Sequence, residues 1–181
     1  MSLASKVRAW TSHQSSSAAY VDPACVYSPM RGRVVPLAEL ADGVFSEEML
    51  GKGCGLWPSD ETVVAPFDGQ VTAIAKTGHA IGVTSRNGIE VLIHIGLDTV
   101  EMAGAGFRVK VRVGDQVTLG QTLMTFSRSK IEDAGYQLAS AVVVTNSDEY
   151  ETVDVLVNGQ TARGQAIIGV APPPAPQQSH A

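Results

Sequence analysis

The stretch that decides the fold runs from Thr77 to Asp98 and reads TGHAIGVTSRNGIEVLIHIGLD. At its centre is Asn87-Gly88, a dipeptide that strongly favours a β-hairpin turn because both residues accept a positive φ. Alternating apolar residues on both sides of the dipeptide are typical of two paired strands. This stretch therefore predicts an antiparallel hairpin that carries one histidine on each strand, His79 and His94.

The length of the hairpin loop decides which side chains share a face. With a loop of two or four residues, His94 lies opposite Ile81, and His79 becomes a diagonal neighbour of His94 on the same face. A loop of three residues would place the two histidines on opposite faces. We expect the even-numbered loop, and the histidine pair depends on that register.

Two imidazoles on one apolar face are suited to chemistry that a single core histidine is not. Near neutral pH, imidazole is a nucleophile, a base or a metal ligand. One ring of the pair could be a nucleophile and the other a supporting donor. Alternatively, His79, His94 and Asp98 could supply three metal ligands. The residue types leave these alternatives open.

The rest of the chain continues the pattern of short apolar runs separated by Gly, Asn, Asp and Pro. Its 181 residues, 44% hydrophobic and 17% charged, are enough to build one core. The sequence predicts an all-β fold, an antiparallel β-sandwich or distorted barrel with one or two short helices, at 46–50 and 129–138. The glycine-rich residues 51–55 are expected to form a turn. Strands are expected at 34–35, 63–64, 70–75, 80–85, 89–95, 108–113, 122–126, 141–145, 152–157 and 166–170.

Charge and cysteine content exclude several classes of protein. Thirteen basic and eighteen acidic residues give a net charge of −5, which argues against nucleic acid as the main partner. No apolar run is long enough for a membrane span. Cys25 and Cys54 have no metal-ligand spacing, so we expect two free thiols in a cytoplasmic protein.

Composition also predicts how the chain is organised. Residues 1–25 are expected to be a flexible N-terminal tail, because their Ser-rich part lacks periodicity. Residues 26–170 are expected to form the folded domain. Residues 171–181, which include Pro172-Pro173-Pro174, are expected to be a Pro-rich C-terminal tail.

A colinear series of motifs surrounds the hairpin. It comprises Ser28-Pro29-Met30-Arg31-Gly32, Asp42-Gly43-Val44-Phe45-Ser46-Glu47, Val64-Ala65-Pro66-Phe67-Asp68-Gly69, Lys76-Thr77-Gly78-His79-Ala80, Val91-Leu92-Ile93-His94-Ile95-Gly96-Leu97-Asp98 and Val113-Gly114-Asp115-Gln116-Val117. In this order, over residues 26–170, the sequence resembles the glucose-type enzyme IIA component of the bacterial phosphoenolpyruvate-dependent sugar phosphotransferase system.

The resemblance implies a β-sandwich with a shallow apolar active face and a role as a phosphotransferase. It implies that His94 accepts a phosphoryl group on Nε2 from the histidine-containing phosphocarrier protein and passes it to a cysteine of a sugar-specific enzyme IIB. His79 would hold the phosphoryl oxygens, and Thr77 would orient His79. Asp42 and Asp98 match acidic residues at the rim where partners dock.

The expected hairpin register places Ile81 beside the two histidines, and the resemblance retains the aromatic Phe45 near them. Phe45 and Ile81 are expected to lie in an exposed apolar patch around His94, with Asp42 and Asp98 at its rim. No cofactor and no metal are expected in this carrier.

Two other classes of protein share single motifs with the chain. Residues 94–98 also resemble the H-x-G-x-D string of lysostaphin-like zinc endopeptidases, which need a further H-x-H ligand strand downstream. The one histidine after His94 is His180. Residues 65–71 and 114–121 resemble parts of biotinyl- or lipoyl-carrier domains, which need a lysine at a hairpin tip where Arg86-Asn87-Gly88 stands. Both classes are kept as alternatives.

Overall fold

A computed structural model of the chain describes residues 21–173. Most of the two predicted tails, residues 1–20 and 174–181, therefore lies outside the described residues. Within the described range the chain forms fourteen strands, one α-helix and three short 3-10 helices. No helix in this range is long and apolar enough to cross a membrane.

The all-β class is confirmed, with one short α-helix near the second predicted position and turns at 46–50. The α-helix α1 is Arg128–Asp133, and the 3-10 helices are Leu37–Leu40, Thr99–Met102 and Ser147–Glu149. The strands are β1 (Cys25–Tyr27), β2 (Gly32–Pro36), β3 (Lys52–Pro58), β4 (Thr62–Val64), β5 (Gly69–Ile74), β6 (Ala80–Ser85), β7 (Glu90–His94), β8 (Phe107–Val109), β9 (Gln116–Val117), β10 (Thr122–Phe126), β11 (Ser140–Val144), β12 (Thr152–Val155), β13 (Gly159–Thr161) and β14 (Ala166–Ala171).

The largest layer is an eight-stranded sheet in the order β13-β2-β3-β11-β7-β6-β5-β9. Two three-stranded sheets, β1-β14-β12 and β4-β10-β8, complete the fold. Neighbouring strands are antiparallel. Side chains from all three sheets, such as Ile93, Leu123 and Ile168, fill one main core. The predicted antiparallel β-sandwich is therefore confirmed.

Strand β7 is covered by apolar side chains on both faces of the large sheet. Val91 and Ile93 belong to the main core, whereas Leu92 packs on the reverse face. A second apolar cluster covers that reverse face, formed by Leu37, Leu40, Phe45, Leu97, Ala139, Ala141 and Val143. Because side chains alternate along a strand, His94 lies on the same face as Leu92. The second cluster therefore lies on the face that carries His94, and two of its members, Phe45 and Ala141, are direct neighbours of His94.

The predicted hairpin forms at Asn87-Gly88, but its loop has three residues. Ser85 N–H donates to the Ile89 carbonyl at 2.8 Å, which leaves residues 86–88 in the loop. Gly88 has φ +89, while Asn87 has no positive φ. This is the three-residue loop in which a type I turn is followed by a left-handed glycine. The Ser85 hydroxyl supports it by accepting from Ile89 N–H at 2.9 Å.

The loop length changes the register between β6 and β7. Ala80 pairs with His94, and Ile81 pairs with Ile93. Opposite residues are thus shifted by one from the prediction, so the predicted register was wrong. The shift turns Ile81 toward the main core and away from the face that carries His94.

The glycine-rich residues expected to form a turn instead open strand β3, which lies between β2 and β11. A Cβ at Gly53 would collide with the carbonyl oxygen of Val142 on β11. Glycine is therefore required here by a close approach of two backbones.

Cys54, on the same strand, is fully buried, and burial raises the pKa of its thiol to about 12. The predicted free thiols at Cys25 and Cys54 are confirmed.

Candidate active site

His94 is the last residue of β7 and occupies a small apolar recess on the outer face of the large sheet. Its direct neighbours across the sheet are Ala80 on β6 and Ala141 on β11. Two methyl side chains leave room for the imidazole. Sequence reasoning missed this feature, because the predicted register placed Ile81 opposite His94 and no partner was assigned on the other side. Phe45 packs against the ring, with 5.0 Å between ring centroids and 59° between ring planes.

The ring of His79 meets the ring of His94 edge to face. The ring centroids lie 4.7 Å apart and the planes are inclined at 79°. His79 precedes β6, in a bend that follows Gly78 with φ +72, so strand alternation does not set the direction of its ring. The predicted meeting of the two histidines is confirmed. Its cause is the bend after Gly78 and not the register from which it was predicted.

The tautomer of His94 follows from its hydrogen bond. Nδ1 lies 2.9 Å from the Gly96 carbonyl oxygen. A carbonyl only accepts hydrogen bonds, so Nδ1 carries the proton and Nε2 carries a free lone pair. Burial lowers the pKa of His94 to about 4, helped by the neighbouring His79 and opposed by the Gly96 hydrogen bond and the carboxylates of Asp42 and Asp98. At neutral pH, His94 is therefore an uncharged imidazole with an unprotonated Nε2.

His79 is held by a hydroxyl. Thr77 Oγ1 lies 2.6 Å from His79 Nδ1, so the predicted contact is present. Burial lowers the pKa of His79 as well. When the Thr77 hydroxyl donates to Nδ1, the neutral ring carries its proton on Nε2. The two histidines can thus hold opposite tautomers, one with a lone pair and the other with a proton at Nε2.

Asp42 shapes the loop that brings Phe45 to the site. Its carboxylate accepts hydrogen bonds from Phe45 N–H at 3.2 Å and from Ser46 N–H at 2.9 Å. Burial acts to raise the pKa of Asp42, but hydrogen bonds from Ser46, Phe45 and Val44 outweigh it, and the pKa lies below its usual value. Asp42 therefore has a structural task besides contributing negative charge near His94.

Asp98 is the second acidic residue near His94. Its side chain is exposed, and the residue has φ +58. Asp42, Asp98 and Leu97 line a common cleft. The two carboxylates thus add negative charge near His94, and both act to raise its pKa.

The two apolar residues of the predicted patch are both buried. Ile81 has an exposed fraction of 0% and packs in the main core, so its prediction as a partner-binding residue was wrong. The cause is the one-residue shift of the hairpin register. Phe45 is 5% exposed and forms a wall against His94, not an open surface.

Other apolar residues are exposed on the loops that carry Asp42 and Asp98, and sequence reasoning did not select them. They are Val44, Met49, Leu50 and Val100, among which Met49 is 71% exposed. The available signal was their position outside the strands: Val44, Met49 and Leu50 lie in a bend or turn, and Val100 lies in the short 3-10 helix Thr99–Met102. Unlike Ile81, these four side chains are exposed to solvent.

Among residues 21–173, no three His, Cys, Asp or Glu side chains are grouped so that they could hold a metal ion. A zinc endopeptidase needs a third ligand near His79 and His94, and the described residues do not supply one.

Comparisons with known proteins show which family the chain belongs to. The family model of the phosphoenolpyruvate-dependent sugar phosphotransferase system, EIIA 1, matches residues 24–150. A beta-glucoside-specific EIIBCA component of Bacillus subtilis (strain 168) is 42% identical over 146 residues, which are 81% of this chain and 24% of that protein. A glucose-specific EIIA component of Staphylococcus epidermidis is 37% identical over 141 residues, 75% of this chain and 85% of that protein.

A solved structure shares the fold. The glucose permease IIA from Mycoplasma capricolum superposes with a TM-score of 0.75 and 31% identity, covering 80% of this chain and 93% of that chain. This chain spans 24% of the length of the Bacillus relative but 85% of the Staphylococcus relative. The family match covers most of the described residues and includes both histidines. The chain therefore belongs to the EIIA 1 family of the phosphoenolpyruvate-dependent sugar phosphotransferase system.

Proposed function

We propose that this domain carries a phosphoryl group between two proteins during sugar uptake. His94 Nε2 accepts the group from the histidine-containing phosphocarrier protein and passes it to a cysteine of a sugar-specific enzyme IIB in the cytoplasm. The hydrogen bond from His94 Nδ1 to Gly96, at 2.9 Å, carries this proposal. It leaves Nε2 unprotonated and therefore nucleophilic at neutral pH.

Both transfers balance without an added base. In the first, the N–P bond of the donor phosphohistidine breaks, its electron pair returns to the donor ring, and a bond forms between phosphorus and His94 Nε2. In the second, the thiolate of enzyme IIB attacks phosphorus and the Nε2–P bond breaks. The His94 proton stays on Nδ1 throughout, because Gly96 accepts it in both states.

His79 provides the donor that the phosphoryl group requires. This group brings close to two negative charges into a recess lined by Phe45, Ala80 and Ala141. Burying such charge without hydrogen bonds would be costly. The His79 ring, 4.7 Å from His94 between centroids, lies within reach of the phosphoryl oxygens. A nearby dianion would also raise the pKa of His79 and strengthen this interaction.

The surface around the histidines supports docking of protein partners. Apolar residues are exposed on the two loops that carry the acidic residues, Val44 and Met49 on the loop that follows Asp42 and Val100 close after Asp98. Asp42 and Asp98 add negative charge beside them, and we expect the phosphocarrier to present basic residues to this edge. The name of the Bacillus relative, an EIIBCA component, combines A with B in one protein, which supports enzyme IIB as the acceptor.

Intact mass spectrometry tests the proposal. The protein is incubated with phosphoenolpyruvate, the general enzyme I and the phosphocarrier, and should gain one phosphoryl group. His94→Ala should gain none, while the control His180→Ala, which removes a histidine elsewhere in the chain, should behave like the wild type. His79→Ala should still be phosphorylated, but transfer should slow, because a hydrogen bond to a charged group is worth about 1.5–3 kcal/mol.

Phosphopeptide mapping at alkaline pH, where phosphohistidine survives, then locates the group. Phosphate on His79 or Cys54, or no gain of mass in the wild type, would contradict the proposed roles.

A further inference from the structure

The peptide group that follows Ile95 is held at both ends by buried hydroxyls. Thr99 Oγ1 donates to the Ile95 carbonyl at 2.5 Å, and Gly96 N–H donates to Ser140 Oγ at 3.1 Å. Thr99 and Ser140 both have an exposed fraction of 0%. Two side chains therefore fix the orientation of one peptide plane, two residues after the candidate nucleophile.

The next peptide group is also held at both ends. Leu97 N–H donates to the Gln137 carbonyl at 3.1 Å, and the Gly96 carbonyl accepts from His94 Nδ1. Gly96 joins the two fixed peptide groups and has φ +69. A change in the first plane therefore turns the carbonyl that keeps the proton on His94 Nδ1.

The Ser140 hydroxyl is oriented by its own donor bond. It donates to the Leu138 carbonyl at 2.8 Å, so its lone pairs are left to accept from Gly96 N–H. Ser140 opens β11, and the following residue, Ala141, lies opposite His94 on β7. Strand β11 therefore places the methyl group of Ala141 beside the His94 imidazole and the hydroxyl of Ser140 next to the Gly96 backbone.

We propose that Ser140, together with Thr99, is a positioning residue for phosphoryl transfer. Through Gly96, the pair holds His94 in the tautomer that has a free Nε2. The inference rests on the proposed role of His94 as nucleophile and adds residues that do not touch the reacting atoms. Without the Ser140 hydroxyl, Gly96 N–H loses its buried acceptor, the turn shifts, and His94 populates the tautomer protonated on Nε2. That tautomer has no lone pair with which to attack phosphorus.

The test measures the tautomer of His94 directly, by nitrogen-15 NMR of the unphosphorylated protein at neutral pH. The wild type should show the proton on Nδ1, and Ser140→Ala should show a mixture of tautomers. Ser140→Thr keeps the Oγ acceptor and should restore the wild-type spectrum. The matched control is Ser28→Ala, since Ser28 is another fully buried serine that donates to a backbone carbonyl, that of Met30, at 2.7 Å.

The rate of phosphoryl uptake gives a second measurement. Ser140→Ala should lower it about tenfold, which corresponds to roughly 1.4 kcal/mol, the size of one neutral hydrogen bond. Ser28→Ala should lower the free energy of unfolding by a similar amount but leave the tautomer and the rate unchanged. If Ser140→Ala does not fold, Thr99→Val removes the hydroxyl at the other end of the same peptide and should shift the tautomer in the same direction.

An unchanged Nδ1–H tautomer in the folded Ser140→Ala and Thr99→Val variants would overturn the inference. An equal shift in Ser28→Ala would do so too, since the effect would then be general destabilisation. A tautomer shift confined to Ser140→Ala and Thr99→Val would support it. Failure of the wild type to gain phosphate contradicts the proposed function instead, because the tautomer is read without any phosphoryl transfer.

Discussion

Gly96→Ala should destabilise the protein through two separate effects at one position. Gly96 has φ +69, a conformation that costs an L-residue about 1–2 kcal/mol. A Cβ there would also lie 2.5 Å from Thr99 Cγ2 and 2.8 Å from the Gln137 carbonyl oxygen. Relieving such contacts in a packed interior costs about 1–3 kcal/mol. The free energy of unfolding should therefore fall by about 2–5 kcal/mol in total.

Gly88→Ala is the matched control for the backbone effect. Gly88 has φ +89 at the hairpin tip, and nothing lies within 4 Å of a Cβ placed there. This variant should lose only the conformational part, about 1–2 kcal/mol. Urea unfolding of both variants at one temperature gives the difference, which isolates the contacts with Thr99 and Gln137.

The same substitution should affect function. Moving the Gly96 backbone away from Gln137 draws its carbonyl off His94 Nδ1, so the rate of phosphoryl uptake should fall in Gly96→Ala and stay unchanged in Gly88→Ala. The reasoning is refuted if Gly96→Ala costs no more stability than Gly88→Ala. It is also refuted if folded Gly96→Ala takes up phosphate at the wild-type rate.

Further predictions concern pH, the acidic residues and the core. The pKa of His94 is about 4 in the folded protein against a usual 6.5. Between these two pH values His94 binds a proton in the unfolded chain but not in the folded chain. Lowering the pH from 6.5 to 4 should therefore remove about 3 kcal/mol that His94 contributes to the free energy of unfolding. Urea titrations of the wild type and of His94→Gln at both pH values measure this contribution as the difference between the two proteins. A difference that does not change with pH would contradict the prediction. Asp42→Ala should cost about 1–3 kcal/mol in thermal unfolding, because two backbone N–H groups lose their acceptor, whereas an unaffected melting temperature would argue against that role. Ile81→Ala should cost about 2–5 kcal/mol in the same assay, and a loss typical of surface positions would show that Ile81 is not core. Asp98→Lys should leave the fold intact but slow phosphoryl uptake at low salt, with the difference shrinking as salt rises; equal rates at all salt concentrations would exclude Asp98 from the docking edge.

Local signals in the sequence were enough to predict the strands on both sides of the hairpin. The predicted strand 80–85 coincides with β6, and the predicted strand 89–95 is one residue longer at each end than β7. Asn87-Gly88 correctly marked the turn between β6 and β7. The loop length was not predictable in the same way, because Asn-Gly is compatible with loops of two and of three residues. Here the Ser85 hydroxyl favours the longer loop through its bond with Ile89 N–H.

Strand β3 shows where local propensity fails. Glycine is common in turns, so residues 51–55 predicted a turn. In the fold, the glycines allow β3 to lie close against its neighbours, and Gly53 faces a carbonyl of β11 that no larger residue would clear. That reason belongs to a strand about ninety residues further along the chain and is invisible in the local sequence.

The sequence by itself determined the class of fold, the turn between the two histidine-bearing strands and the motifs that identify the family. These properties depend on the alternation of neighbouring residues and on φ preferences, which act over a few positions. Only the tertiary structure decided that His79 reaches His94 through the bend after Gly78, that Ile81 is core, and that Ser140 holds the Gly96 turn across 44 residues of sequence. The low pKa of His94 likewise arises from burial under a loop and beside a second imidazole. Contacts and burial of this kind exist only after distant segments pack together, because water would otherwise solvate each of these groups separately.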